Sequence, residues 1–221
     1  MTASTRLGDM MPPTEPFAPL ALPQAAERRW IDGLATVVSA ILSPPALAVG
    51  MIASAAAFAG TPAAWRWAGV SLALSVLAPI CYLLWLHRRG LVSDLDVKRR
   101  EERFRPLAFT VLAQALYAAL LRLGGAPALL GGLAAAVFIQ TALVLAITLR
   151  WKISVHGAAS AACVALLLYV AGPHASPALV AVPLVAWSRI RLRRHTPAQT
   201  LAGAALGGAV MWSMLLYTAT R

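Results

Sequence analysis

Seven apolar runs alternate with short polar breaks along the chain: residues 33–59, 68–86, 107–122, 128–149, 157–172, 177–188 and 200–218. A helix needs about 20 apolar residues to cross the hydrocarbon core of a bilayer. Several runs fall slightly short, so the pattern predicts six to seven transmembrane helices. Pro44 and Pro45 lie inside the first run and predict a kink there. Gly and Pro in "GPHASP" predict a turn between the fifth and sixth runs. Gly203 and Gly207 are four apart in the last run, a spacing that permits close helix packing. Residues 1–30 are Pro-rich and of mixed polarity, and read as a loosely ordered tail ahead of a single membrane-embedded helical domain over 31–221.

Composition agrees with the periodicity. The 221 residues are 60% hydrophobic, with mean hydropathy +0.73. The fold class is therefore all-α, a polytopic membrane helical bundle. Trp30, Trp65, Trp67, Trp85, Trp151 and Trp187 fall near run ends, where amphipathic rings favour the membrane interface. Cys81 and Cys163 both lie in apolar runs and read as packing residues.

The net charge of +11 does not point to nucleic acid, because the cations are confined to breaks between apolar runs. Of the 19 Lys and Arg, 13 lie in the three breaks 87–106, 150–157 and 188–199. Two crossings separate each break from the next, so all three share one membrane face, and a site at that face can draw on all of them. The positive-inside rule places that face in the cytoplasm. No Asp or Glu follows Glu102. A site rich in Arg, Lys and His but poor in carboxylates suits a phosphate and not a hard metal such as Mg²⁺. His87, His156 and His195 have no zinc-ligand spacing.

"KRREERFRP" at 98–106 reads either as a solvated, orienting loop or as part of that site. Lys98 and Arg105 are seven apart, close to one face if the segment is helical. Arg99, Arg100 and Arg103 read as topology residues, and Glu101 and Glu102 as their local partners. Asp94 and Asp96 read as caps, either of which could bring a carboxylate to His195. Thr196–Gln199 reads as a capping box with Pro197 at the first helical position.

The order and spacing of three segments resemble the type 2 phosphatidic acid phosphatase superfamily. Lys98, six residues, then Arg105–Pro106 matches its first signature, K-x6-R-P. Ile153–Ser154–Val155–His156 resembles the second, P-S-G-H. Ser188–Arg189, five residues, His195, three residues and Gln199 resemble the third, S-R-x5-H-x3-D. The resemblance covers residues 64–218. It implies that Lys98, Arg105 and Arg189 hold the phosphate oxygens, with the Ser154 hydroxyl and the Val155 backbone N–H beside them. His195 would be the nucleophile and His156 the general acid. No metal or other cofactor is implied. The substrate would be a phosphorylated lipid in the bilayer, an isoprenyl phosphate or diphosphate or a phosphatidate-type lipid. Three positions depart from the signatures. Ile153 replaces Pro. Val155 replaces Gly, where a backbone requiring positive φ would be strained. Gln199 replaces the Asp that orients the histidine, offering a carbonyl acceptor without a charge. Val155 and Gln199 motivate one alternative, a weakened relative that binds phosphorylated lipid; the other is a lipid phosphotransferase that passes the phosphoryl group to an acceptor alcohol instead of water.

Overall fold

The computed structural model describes residues 22–220, with side chains from Arg29 onward. The described residues form helices and connecting turns only. In chain order these are α1 (Leu22–Ile41), α2 (Pro44–Ala59), α3 (Pro62–Leu72), a π-helical turn (Ala73–Leu77), α4 (Ala78–Arg88), a 3₁₀ turn (Glu101–Arg103), α5 (Phe104–Leu123), α6 (Ala128–Thr148), α7 (Val155–Ala171), a 3₁₀ segment (Gly172–Val180), α8 (Ala181–Arg191) and α9 (Pro197–Ala219). Five helical stretches among them are long and apolar enough to cross a membrane, or six with α1 and α2 taken together. Helix α1 begins at Leu22, within the region read as a tail, and residues 1–21 lie outside the described residues.

Breaks in the helices follow from proline and glycine. Pro44 and Pro45 open α2, which bends 41° from α1. The π turn lies just before Pro79, whose ring cannot donate to the Ser75 carbonyl and crowds it. Helices α7 and α8 belong to one helical stretch, Val155–Arg191. Drawn straight, it would put His156 and Arg189 about 50 Å apart. Both instead act on the same carboxylate, Asp96. The stretch therefore folds back on itself, in the 3₁₀ segment that Gly172 opens with φ 59°.

The core is built from α2, α5, α6, α7 and α9, with Met51, Tyr117, Leu130, Leu166 and Met211 almost wholly buried. Helices α7 and α9 approach most closely. A Cβ at Gly207 would collide with the Ala158 backbone oxygen, and one at Gly203 with the Ser154 backbone oxygen. This pair of glycines allows backbone against backbone. It also fixes the register that matters next, because Ser154 N–H donates to the Gln199 carbonyl at 3.2 Å.

Candidate active site

Three elements bring the polar groups together: the loop before α5, the start of α7, and the turn between α8 and α9. The loop 93–100 is not helical. Asp94 Oδ1 accepts from the Asp96 N–H at 2.8 Å, and Glu102 Oε2 accepts from both the N–H and the hydroxyl of Ser93. Val97 takes φ 45°, rare for a β-branched residue. The turn after α8 reverses through Arg193 at φ 52°, with the Arg194 and His195 N–H groups both donating to the Arg189 carbonyl.

Arg189 lies at the centre. Its side chain is 3% exposed, and one guanidinium nitrogen, Nη2, bridges both Asp96 oxygens at 2.8 and 2.9 Å. Its Nη1 donates to Ser39 Oγ at 2.8 Å, which ties α1 to the site. Among the described residues its buried Nε has no hydrogen-bond acceptor; Arg194 Nε lies 3.3 Å from Asp96 Oδ2 and its buried Nη1 lies 3.8 Å from Asp94 Oδ2, beyond hydrogen-bond reach. Arg103 is buried, donating to the carbonyls of Val97 and Ile153. Lys152 Nζ donates to the Arg194 carbonyl at 2.6 Å, and burial, then Arg103 and Arg189, push its ammonium pKa down. Four cations thus gather round Asp96, with Asp94 as a second carboxylate within electrostatic reach of Arg103, Lys152 and Arg194. Burial alone would raise the Asp96 pKa, but the Arg189 hydrogen bond, with Arg189, His156 and Arg194 charges, outweighs it and holds it below the usual value.

His195 Nδ1 lies 3.1 Å from Gln199 Oε1, which also accepts the Thr196 N–H at 3.2 Å. An oxygen receiving that second donor can only accept from the imidazole, so Nδ1 carries the proton and Nε2 keeps its lone pair. Burial, followed by the charges of Arg103, Lys152 and Arg189, pushes the His195 pKa down to about 3, against the Gln199 hydrogen bond. The ring is neutral at pH 7. His195 lines a cavity of about 110 Å³ with Asp96, Val97, Arg103, Pro106, Leu107 and Val155.

The expected site residues divide. Arg189, His195, Gln199, Val155 and His156 come together. His156 lies within electrostatic reach of Arg189, Asp96 and Arg103, its ring against the Ser39 backbone, outside the cavity lining. Ser154 is fully buried and caps α7, its Oγ accepting from Gly157 N–H at 3.1 Å, so it turns away from the cavity. The N–H groups of Val155 and His156 in the first turn of α7 have no intrahelical acceptor, which suits an anion. Val155 is helical and free of the strain expected from replacing Gly.

Lys98 and Arg105 are not brought in. Lys98 is about half exposed and 3.5 Å from Asp94. Arg105 is exposed and makes no ion pair or hydrogen bond among the described residues. The seven-residue spacing does not align them, because 93–100 is loop. On α5, Arg105 lies about 200° round from Arg103, whose direction Pro106 and Leu107 share. Arg103, read as a topology residue, is therefore the arginine at the site. Arg99 and Arg100 pair loosely with Glu102 and Glu101, and Arg100 also donates to the carbonyls of Leu149 and Arg150. Asp96 serves Arg189 and leaves His195 to Gln199. The carboxylate-poor tail of the sequence was the available signal for Asp96: every late cation had to find its counter-ion before residue 103.

No family model, curated protein or solved structure matches the chain. Among the described residues, no group of His, Cys, Asp and Glu could hold a metal ion.

Proposed function

We propose that this chain is an integral-membrane lipid phosphatase of the type 2 phosphatidic acid phosphatase kind. It hydrolyses a phosphomonoester or diphosphate of a lipid through a phosphohistidine. The observation that carries the reading is His195, held through Nδ1 by Gln199, in a cavity that it lines together with Arg103 and with Asp96, whose carboxylate Arg189 binds.

Phosphate oxygens would replace the Asp96 carboxylate on Arg189 and take up its free Nε, with Arg103 and the first turn of α7 on the remaining oxygens. That exchange brings phosphorus between His195 and His156. His195 Nε2 attacks phosphorus as the P–O bond to the lipid breaks, and His156 supplies the proton to the leaving oxygen. Water, deprotonated by the now neutral His156, then breaks the P–N bond and releases inorganic phosphate. Gln199 holds the ring and its tautomer throughout.

The same account takes α1–α2 as one broken crossing and α7 and α8 as two, giving seven crossings, with the site at the cytoplasmic face by the positive-inside rule. A phosphate-release screen over isoprenyl and acyl lipid phosphates, in chelator, tests it. Turnover that His195→Ala abolishes is expected, and undiminished turnover in that variant contradicts the mechanism. Asp96 on Arg189 favours a second reading, a non-hydrolytic binder of phosphorylated lipid, which predicts saturable binding without phosphate release. A lipid phosphotransferase would show product that depends on an added acceptor alcohol.

A further inference from the structure

Among the described residues, the Arg189 guanidinium has two side-chain acceptors. Asp96 holds Nη2, and the Ser39 hydroxyl accepts from Nη1 at 2.8 Å. Ser39 and Arg189 are both buried, so the bond is shielded from solvent. Ser39 lies on α1, ahead of the segment 64–218 that carries the family resemblance, and no signature residue stands for it.

Two further contacts fix where Ser39 sits. Helix α1 ends in a tightened turn, with Leu42 N–H donating to the Val38 carbonyl at 3.0 Å and Ser43 N–H to the Ala40 carbonyl at 3.3 Å. The Ser39 carbonyl is left without its helical donor, and the His156 ring lies against it. Seven residues earlier, on the same face of α1, Asp32 Oδ1 accepts from Arg191 Nε at 2.7 Å. Helix α1 is thus docked on α8 at Asp32 and on Arg189 and His156 at Ser39.

The two acceptors of Arg189 differ in chemistry. Asp96 is an anion on a loop, and phosphate competes with it for Nη2. Ser39 is neutral and on a helix, and that exchange leaves it in place. A neutral acceptor fixes the guanidinium without offsetting its charge, which stays available to the anion.

We propose that Ser39 is a positioning residue for the anion site: its hydroxyl keeps the Arg189 guanidinium oriented once a phosphate has displaced Asp96. This rests on the phosphatase reading for the identity of the anion. Without the hydroxyl, the displaced state would leave the guanidinium no acceptor among the described residues, free to turn about its stem. Loss of one hydrogen bond to a charged group corresponds to about tenfold weaker phosphate binding.

The test uses the full chain in detergent micelles. Inorganic phosphate binding is measured by calorimetry for wild type, Ser39→Ala, Ser39→Thr and Asp32→Ala, alongside lipid phosphate turnover. Ser39→Ala should bind phosphate about tenfold more weakly and raise KM by a similar factor. Its kcat should stay within about threefold, since the bond is made in the ground state and the transition state alike. Ser39→Thr keeps the hydroxyl and should restore binding to within about threefold. Asp32→Ala removes the other contact of α1 without touching Arg189 and should bind phosphate as wild type does. Unchanged phosphate binding in Ser39→Ala overturns the proposal. An equal loss in Ser39→Thr or Asp32→Ala overturns it too, because it assigns the effect to the packing of α1. Ser39-dependent phosphate binding in a wild type that releases no phosphate from lipid supports the positioning role and contradicts the phosphatase reading. A wild type that binds no phosphate contradicts both.

Discussion

The Asp96 carboxylate sits astride Nη2 of Arg189, at 2.8 and 2.9 Å, in the position an anionic substrate would claim. An intramolecular carboxylate on an otherwise cationic site competes with phosphate and holds the arginine in place. Asp96→Asn should therefore bind inorganic phosphate about tenfold more tightly, measured by calorimetry. It should also be less stable by about 2 kcal/mol, below the 3–5 kcal/mol of a fully buried pair because Asp96 is partly exposed. Since the Asp96 pKa is depressed, its stabilisation is complete above pH 4 and is lost as pH falls through the folded value below 3.8. Melting temperatures of the two proteins should converge only in that acid range.

Arg103 and Arg105 give opposite expectations. Arg103→Lys should lower kcat/KM about 10²-fold, because the charge is kept but the planar fork that the Val97 and Ile153 carbonyls hold in place is lost. Arg105→Lys and Lys98→Ala should stay within about threefold of wild type, since both residues face solvent. Steady-state kinetics on the three variants decide whether the arginine matched by spacing or the one brought in by folding does the work.

That contrast shows what was legible in the sequence. The apolar runs located the helices, since Pro44–Pro45 and the "GPHASP" turn mark real breaks and periodicity is local. The Gly203–Gly207 spacing and the Thr196–Gln199 capping box are likewise local, and both are present. The choice between Arg103 and Arg105 depends on where α5 starts and on the non-helical path of 93–100. The Asp96–Arg189 pair spans 93 residues and no local pattern encodes it. Nor did the first apolar run mark Ser39 as a partner of Arg189, because a single serine in such a run carries no period of its own.

His195 should leave a distinct pH signature. With its pKa held at about 3, the ring stays neutral down to pH 4, so the nucleophile's acid limb in kcat/KM lies near pH 3 and not near 6.5. The unfolded chain binds this proton near pH 6.5, so the stabilisation is complete above that value and declines towards pH 3. Gln199→Ala frees the ring and removes half the capping box. It should lower kcat about 10–100-fold and stability by about 1 kcal/mol, with KM little changed.

Gly207→Leu should separate α7 from α9. The added side chain meets the Ala158 backbone, which cannot yield cheaply. A loss of about 3 kcal/mol is expected. The variant should also lose activity, because the same contact sets Ser154 against Gln199. Thermal unfolding in detergent and phosphate release together check this.

The central claim is covalent catalysis by His195. Incubation of the full chain with a phosphorus-labelled lipid phosphate in chelator, quenching in base and peptide mass spectrometry should reveal an acid-labile phosphoryl group on His195. His195→Ala should show neither label nor phosphate release. Phosphate release that continues unchanged in that variant, or a label on another residue, would contradict the account.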